Sequence, residues 1–343
     1  MKTTRRMVSL LIAAVMLTAS IAGVAFASEE EDYVWPETPE KIYTLSVANT
    51  VAADTPCGLT LTKIDEVLRE RSNGAVQLDI YWDGTLATVN EIGEGLATGT
   101  IDIGLVNSGV VSNYTPKIDV LSLPFIISGR DQMRAVTDQY FDEITEGIYE
   151  TLGITLGLWE FGFRHLVTRD KEINTIEDMQ GLNIRVLDGQ LYAATFNALG
   201  CVPTSVPTTE IVTALQQGML DGVEAPYTMI VAQQQYSFCK YLTLIGYNYS
   251  VGIPILSRDV AESLPEEVVD LIKDVFWEYR FYSRERWEEA DEGYKQTCID
   301  GGMIVKALSD EEMERFRDRV ATVWEEYEDK IGKDLIEKVS NAE

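Results

Sequence analysis

The sequence predicts an α/β fold of two similar lobes that face each other across a cleft, with one long helix spanning both lobes. The first observation is a repeat: Glu-Ile, three residues, Leu, two residues, Gly, one residue, Ile or Leu, then Asp. It runs from Glu91 to Asp102 and again from Glu210 to Asp221. In each copy a short amphipathic helix meets a glycine suited to a helix C-terminus, and a strand can follow. A chance match between two helix-glycine-strand segments is the alternative.

The first half of the chain alternates between predicted strands and helices. Residues 43–48 form a first strand, residues 60–72 a helix ended by an Asn-Gly turn, and residues 76–80 a second strand. The first repeat helix is followed by a strand at residues 101–106 and by a mixed apolar segment at residues 120–127. Strand, helix and strand in this order make an α/β unit.

The second half repeats the order. Residues 175–178 begin a turn or short helix, residues 182–186 form a strand, and residues 192–199 form a helix closed by Gly200. The second repeat comes next. Two similar α/β units therefore follow one another along the chain.

A long helix is the third element of the prediction. Ser263-Leu264-Pro265-Glu266 has the pattern of a capping box, and the segment after it has no further proline and a single glycine before Gly301. Its apolar stripe is too long for one lobe, which suggests a helix across both. The stripe consists of Val269, Ile272, Val275, Phe276, Tyr279 and Trp287.

The N-terminus predicts export. Lys2, Arg5 and Arg6 precede an apolar run, residues 7–27, that closes on Ala25-Phe26-Ala27. This is the pattern of a secretory signal peptide, residues 1–27, cleaved after Ala27. An uncleaved membrane anchor is the alternative, since the run is nearly long enough to span a bilayer. Residues 28–40 are acidic and form a leader to the fold.

The charge of the chain limits its partners. The formal net charge is −28, and removal of three basic residues with the signal peptide lowers it to −31. Nucleic acid and anionic membrane surfaces are therefore disfavoured as partners. An anionic ligand would be repelled at long range, so its capture requires local positive groups inside the cleft.

Cysteine and histidine are scarce. The four cysteines have no close spacing and His165 is the single histidine, so no metal site is expected. Four cysteines in an exported protein allow three disulfide connectivities, among which we favour a bridge between Cys201 and Cys239. His165 has no nucleophile motif beside it, so we assign it to structure, and we expect neither catalytic residues nor a cofactor.

Two arginines are candidate ligand-binding residues. Arg185 lies in a strand whose apolar residues alternate, so its guanidinium projects from the opposite face. The planar guanidinium suits bidentate capture of a substrate carboxylate, whereas an ion pair with Asp188 is the structural alternative. Arg164 follows an aromatic run and is a second candidate, with a surface arginine at a strand end as its alternative.

Polar residues that follow strands are further candidates. Ligands of open α/β sheets bind beyond the carboxyl ends of the strands. Asn107 and Ser108 follow the strand at residues 101–106, and Asn49 lies in the loop at residues 48–56 after the first strand. All three are placed to hydrogen-bond a ligand, although a simple polar turn would also explain Asn107 and Ser108.

A long segment carries a family resemblance. Residues 181–226 read GLNIRVLDGQLYAATFNALGCVPTSVPTTEIVTALQQGMLDGVEAP. This resembles the signature of DctP-type solute-binding proteins of tripartite ATP-independent periplasmic (TRAP) transporters. Further matches over nearly all the mature chain are Asn73-Gly74-Ala75, the first repeat, Leu123-Pro124-Phe125 and the Gly-x-Arg that ends at Arg164.

The resemblance implies the two-lobed periplasmic binding protein fold and a site for an organic carboxylate. Arg185 matches the family's carboxylate-binding arginine and Arg164 a second site arginine; Asn107 and Ser108 fall at a ligand-contacting position. Thr208 and Glu224 occupy two further site positions. The resemblance also implies a periplasmic location and delivery of the ligand to TRAP membrane subunits driven by an ion gradient.

Two positions depart from the pattern. Ala225 stands where sugar-acid binders commonly carry Asn, and Thr208 stands where an aromatic residue often precedes the second repeat helix. Loss of the amide weakens the case for a sugar acid, so a smaller or more apolar carboxylate is favoured.

Each predicted lobe is made of two segments of the chain. We expect residues 41–161 plus 251–290 to form lobe one and residues 162–250 plus 291–343 to form lobe two. The alternatives to a TRAP receptor are a secreted enzyme acting on a small organic acid, and a receptor for a sensor or an ATP-driven importer. Turnover of a bound acid would reveal the enzyme.

Overall fold

One mixed sheet joins the two halves of the chain in the computed structural model, which describes residues 33–342. Its path runs in the order β2-β1-β3-β9-β5-β8-β6-β7, and β4 and β10 also pair with β9. The strands are β1 (Tyr43–Ala48), β2 (Val76–Tyr81), β3 (Ile103–Asn107), β4 (Gly153–Thr155), β5 (Trp159–Thr168), β6 (Asn183–Val186), β7 (Val202–Ser205), β8 (Gly222–Pro226), β9 (Tyr241–Ser257) and β10 (Ile304–Ala307).

The sheet is nearly symmetric about its centre. On one side β1 pairs in parallel with β2 and β3, and on the other β6 pairs in parallel with β7 and β8. The two groups are joined by β5 and β9, which pair antiparallel with each other. The prediction of two similar α/β units is therefore confirmed, and the units share one sheet.

The helices cover this sheet. The α-helices are α1 (Pro56–Arg71), α2 (Val89–Ala97), α3 (Ser108–Val111), α4 (Arg130–Gln139), α5 (Phe141–Ile144), α6 (Ile148–Thr151), α7 (Gln190–Ala198), α8 (Ile211–Gln216), α9 (Tyr227–Ala232), α10 (Arg258–Ser263), α11 (Glu266–Asp300), α12 (Asp310–Ile331) and α13 (Lys333–Ser340). Short 3₁₀ helices occur at Pro116–Ser122, Ile176–Met179, Thr208–Glu210 and Gln235–Ser237.

The two copies of the repeat occupy equivalent places. The first copy forms α2 and leads into β3, and the second forms α8 and leads into β8. The glycines that follow the helices, Gly99 and Gly218, have φ values of 67° and 74°. This left-handed conformation closes a helix at little cost for glycine, which explains why both copies carry it.

The long helix α11 contacts both sides of the sheet. It packs against α1 and β5, and also against α9 on the far side. Its predicted capping box was wrong. Pro265 is the N-cap, without a side-chain hydrogen bond, and the Ser263 hydroxyl instead donates to the Val260 carbonyl oxygen within α10. Ser263 ends one helix, and so it is unable to begin the next.

The core lies on both faces of the sheet, and the cysteines are part of it. All four are free thiols and buried, so the favoured bridge between Cys201 and Cys239 was wrong. Cys201 packs in the largest apolar cluster and donates to the Met179 carbonyl oxygen, whereas Cys239 belongs to a separate cluster beneath α8 and α9.

The predicted lobe boundaries fall at one place in the sheet. Glu160 pairs with Val251 and Gly162 pairs with Ser250, with a β-bulge in β5 between them. The boundaries at residues 161 and 251 are thus neighbours across β5 and β9, although the division into lobes stays a prediction. Signal-peptide residues 1–27 and leader residues 28–32 lie outside the described residues. From Tyr33 to Ala342, no helix has the length and apolar character needed to cross a bilayer.

Candidate functional site

A cavity of about 360 Å³ opens at the carboxyl ends of the strands. Its walls come from the loops after β1, β2, β6 and β7, from the ends of β3 and β8, from α8 and α9, and from the middle of β5 and β9. The lining residues are Thr50, Val51, Ala52, Thr55, Asp83, Asn107, Phe161, Arg164, Leu187, Thr208, Thr209, Val212, Pro226, Thr228, Met229, Ala232, Gln233 and Ser250. Both parallel groups contribute, as expected for a cleft between two α/β units.

A smaller cavity of about 80 Å³ adjoins the large one. The two share Thr50, Leu187, Thr208 and Thr209 in their walls. Arg185 lines the small cavity and Arg164 lines the large one. The two predicted arginines therefore border one connected region.

Arg164 is fixed by a buried ion pair. Its Nε and Nη2 donate to the Glu224 carboxylate, the second at 3.0 Å, and Nη2 also donates to the Glu224 carbonyl oxygen at 2.9 Å. Burial alone would lower the pKa of Arg164, but the adjacent Glu224 carboxylate raises it above its usual range. Among the described residues, none accepts a hydrogen bond from Nη1, which leaves this group for a ligand in the cavity.

Arg185 is equally buried and has no such partner. Its Nε donates to the Val206 carbonyl oxygen at 3.1 Å, while its Nη1 is buried without any hydrogen bond. Within residues 33–342 it forms no ion pair, and Asp188 instead accepts from Asn90 Nδ2 at 2.6 Å, so the alternative pairing with Asp188 was wrong. Burial lowers the pKa of Arg185 to about 10, so the guanidinium is still charged at neutral pH.

Glu224 connects β5, the end of β6 and β9 by hydrogen bonds from outside the cavity walls. Besides Arg164, its carboxylate accepts from the Leu187 backbone N–H at 2.7 Å and from the Tyr247 hydroxyl at 2.7 Å. The residue is fully buried and outside the walls of either cavity. Among the buried side chains here, two arginines and one carboxylate leave one positive charge without a buried counter-charge, and an anionic ligand would balance it.

The other predicted residues have different positions. Asn107 lines the large cavity, and its Oδ1 accepts from Val110 N–H at 3.1 Å to cap α3. Thr208 lines both cavities. Asn49 lies outside the cavity walls and shapes the loop after β1, because its side chain bonds the backbone of Val51 and Tyr81.

Ser108 also lies behind the walls. It is buried, with its hydroxyl 2.8 Å from that of Ser122 and 2.9 Å from that of Tyr192. Phe161, Met229 and Ser250 also line the large cavity and were not predicted from the sequence. The aromatic run before Arg164 was a signal for Phe161, whereas no local pattern marked Met229 or Ser250.

His165 has a structural position. Its Nδ1 accepts from the Gly246 backbone N–H at 3.1 Å, and its ring packs edge-on to Tyr227. Burial lowers the pKa of His165 to about 3, so the imidazole is neutral at neutral pH. It thus adds no charge beside Arg164.

Two contacts join the α/β units beside the small cavity. Asn90 on α2 bonds Asp188 after β6, so the two α/β units touch directly. Gly109 lies against the same loop, since a Cβ there would be 2.0 Å from the Asp188 carbonyl oxygen. Only a residue without a side chain fits between the units in this arrangement.

Comparisons with known proteins place the fold in a family. The model of the bacterial extracellular solute-binding proteins, family 7 (DctP), matches residues 47–330. The chain is 25% identical over 344 residues to the C4-dicarboxylate-binding periplasmic protein DctP of Rhodobacter capsulatus, covering 99% of this chain and 98% of that protein. It is also 25% identical over 301 residues to a solute-binding protein of Verminephrobacter eiseniae, covering 88% and 89% of the two chains.

A solved structure has the same fold. The TRAP periplasmic solute-binding protein of Sulfurospirillum deleyianum, with bound succinate, superimposes with a TM-score of 0.84 at 24% identity, covering 88% of this chain and 100% of that one. This likeness confirms the predicted two-lobed α/β fold. Because the family model spans most of the chain, the protein belongs to the DctP family of bacterial extracellular solute-binding proteins.

Proposed function

We propose that the protein is an extracytoplasmic receptor that binds an organic carboxylate between its two lobes and delivers it to TRAP transporter membrane subunits for ion-gradient-driven uptake. The observation that carries this proposal is Arg185, a charged side chain buried beside a cavity without a carboxylate partner. A buried charge needs a counter-charge, and a ligand carboxylate supplies it. Family membership supports the same role, as does the succinate bound to the solved relative.

Arg185 is the main ligand contact in this proposal. Its guanidinium, in the wall of the small cavity, donates to one carboxylate oxygen, and Nη1 of Arg164 reaches the ligand from the large cavity. Hydrogen bonds that involve charged groups contribute roughly 1.5–3 kcal/mol, so one such contact is a large part of the roughly 8 kcal/mol of a micromolar complex. Asn107 and Thr208 are wall residues that complete the contacts, while Glu224, Ser108 and Asn49 hold the walls in place.

The proposed location follows from the N-terminus. Residues 1–27 are removed on export and the mature protein begins at Ser28 in the periplasm. N-terminal sequencing of the protein from a periplasmic extract tests this, because an uncleaved anchor would leave Met1 or Lys2 at the start and keep the protein with the membrane. We expect no chemical change of the ligand, and recovery of an altered acid after incubation would instead indicate an enzyme.

The central test is binding of carboxylates to refolded mature protein. Refolding removes ligand carried over from the cell. A ligand at about 1,000 times its dissociation constant should stabilise the protein by about 4 kcal/mol, which a thermal unfolding scan detects readily. Arg185→Ala should reduce this stabilisation to about 1.4 kcal/mol, because 100-fold weaker binding leaves the same ligand concentration at about ten times the dissociation constant. Arg317→Ala removes an exposed arginine and should preserve it. A shift of native size in Arg185→Ala would overturn the proposed role of Arg185.

A further inference from the structure

The charged residues around the two cavities are few and unevenly placed. Arg164 and Arg185 are the two cations among the cavity-lining residues, and both lie on the side of β5 and β6. The acids are Asp83 at the mouth of the large cavity and Asp188 at the small one. Asp188 is held by Asn90. Away from the two arginines, the walls therefore provide no positive charge for a second anionic group.

The rest of the large cavity is apolar or uncharged. Its apolar wall residues are Val51, Ala52, Phe161, Leu187, Val212, Pro226, Met229 and Ala232. Uncharged polar groups complete the wall, among them Ser250, whose hydroxyl is buried without a hydrogen-bond partner. Such walls suit hydrocarbon and hydroxyl or carbonyl groups, and they suit a second carboxylate poorly.

The balance of charge sets a limit of one anion. One ligand carboxylate neutralises the positive charge that Arg164, Arg185 and Glu224 leave among the buried side chains. Asp83 and Asp188, which are not buried, add only negative charge to the walls. A second carboxylate would lose its water without gaining a cation, and it would share the cavity with Asp83. The volume of about 360 Å³ is near the lower end of ligand pockets, so it leaves little room for a hydrated second anion.

We infer that the ligand is a monocarboxylate with an uncharged, mainly apolar body and that the site rejects dicarboxylates of the same length. This rests on the proposed carboxylate receptor and goes further by naming the class of acid. The carboxylate occupies the end of the cavity at Arg164 and Arg185. The body lies against Phe161 and Met229.

The test uses pairs of acids that differ in one end group. Calorimetric titration of the refolded protein with hexanoate against adipate, and with 4-methylphenylacetate against 4-carboxyphenylacetate, measures the cost of the second carboxylate. We expect the monocarboxylate of at least one pair to bind at least about 100-fold more tightly, which corresponds to about 2.7 kcal/mol at 1.36 kcal/mol per tenfold. Equal binding, or tighter binding of the dicarboxylate, overturns the inference.

A gain-of-function variant sharpens the test. Met229 on α9 lines the large cavity, and Met229→Lys places a cation there with a side chain of similar length. It should reduce the preference for the monocarboxylate at least tenfold. Met219→Lys is the matched control, because Met219 is 57% exposed and outside the large cavity, and it should leave the preference unchanged.

The outcomes separate the two proposals. Binding of dicarboxylates alone would overturn the inference and leave the receptor proposal in place. Folded protein that binds no acid of either kind would overturn the receptor proposal, and the inference would fall with it. An equal change of preference in Met229→Lys and Met219→Lys would show that net charge, not the cavity wall, sets the preference, and this also overturns the inference.

Discussion

Arg164 and Arg185 are buried to the same degree, with 3% of each residue exposed, yet their surroundings differ. Arg164 on β5 pairs with the Glu224 carboxylate of the neighbouring strand β8. Arg185 on β6 makes a single hydrogen bond to a carbonyl oxygen and has a buried nitrogen without a partner. The strands that carry them flank β8, which carries Glu224. One carboxylate thus lies between two cations and pairs with only one.

This difference separates stability from binding. The charge of Arg164 is balanced within the fold by Glu224, so removal of Arg164 should lower the free energy of unfolding. The unpaired arginine destabilises the empty protein, because its desolvation is not compensated. Its removal should harm only the complex. Four changes test or refine this distinction.

The largest effect is expected at the shared carboxylate. Glu224→Gln keeps the shape of the side chain but removes its charge, so two buried cations face each other without compensation. Breaking a buried pair in this way costs about 3–5 kcal/mol of the free energy of unfolding, measurable by urea denaturation. Glu314→Gln, which breaks an exposed pair with Arg317, is the control and should cost about 0–1 kcal/mol. Similar losses in both variants would contradict the structural role of Glu224.

The second effect concerns the ligand. Arg185→Ala and Arg185→Lys should each weaken carboxylate binding about 100-fold, since truncating one partner of a buried charged contact costs about 2–5 kcal/mol. Lysine keeps the charge but lacks the planar guanidinium. The free energy of unfolding of the ligand-free protein should be unchanged or higher. A loss of stability as large as that of Glu224→Gln would show that Arg185, too, is a structural cation.

The third effect is a pH dependence of the free energy of unfolding that arises from His165, the residue after Arg164. The pKa of His165 falls from 6.5 to about 3 on folding, so between these values the unfolded chain binds a proton that the folded protein does not. Its contribution to stability is therefore complete above pH 6.5 and is lost as the pH falls towards 3. From pH 7 to pH 5 the loss is about 2 kcal/mol.

His165→Asn isolates this contribution. The Asn amide oxygen can still accept from the Gly246 backbone N–H but does not titrate. Urea denaturation at pH 7 and pH 5 should show a smaller acid loss in the variant by about 2 kcal/mol. An identical loss in both proteins would mean that protonation of His165 is not what weakens the fold in acid.

The smallest effect concerns closure over Arg185. Gly109→Ala places a methyl group against the Asp188 carbonyl oxygen and should hold the lobes apart, which lowers affinity about tenfold, or about 1.4 kcal/mol. Gly293→Ala is the matched control, because a Cβ there meets no atom within 4 Å. Its affinity should equal that of the native protein. Native affinity in Gly109→Ala would show that the contact of Gly109 with the Asp188 loop is not needed for binding.

Local patterns predicted the fold well. The strand β1, the helix of each repeat copy and the long helix α11 follow from periodicity and glycine position, which act over a few residues. The shared sheet did not follow, because the pairing of β5 with β9 joins residues between 73 (Thr168 and Tyr241) and 93 (Trp159 and Gly252) positions apart. The predicted bridge between Cys201 and Cys239 was wrong for the same reason, since spacing in the sequence does not measure distance in the fold.

The candidate site was predicted in part. Arg164 and Arg185 were found from residue type and strand position. Their different pairing was not, because it depends on β8 lying between β5 and β6 and on Glu224 turning towards one of them. Asn49 and Ser108 follow strands as the rule requires, but their side chains bond to the protein itself.

The pairing of β5 with β9 has a consequence for how the affinity for the ligand can be adjusted. Gly162 in β5 has a φ of 81° and pairs with Ser250 of β9. A Cβ at Gly162 would lie 3.4 Å from the Trp287 ring of α11, so both strands and the long helix meet at this point. The bulge interrupts the ladder at the predicted boundary between the lobes, and rotation at such a joint would move one lobe relative to the other. Substitutions at this joint can shift the balance between open and shut forms without altering any group that touches the ligand. Uptake could thus be matched to nutrient supply while the choice of nutrient is preserved.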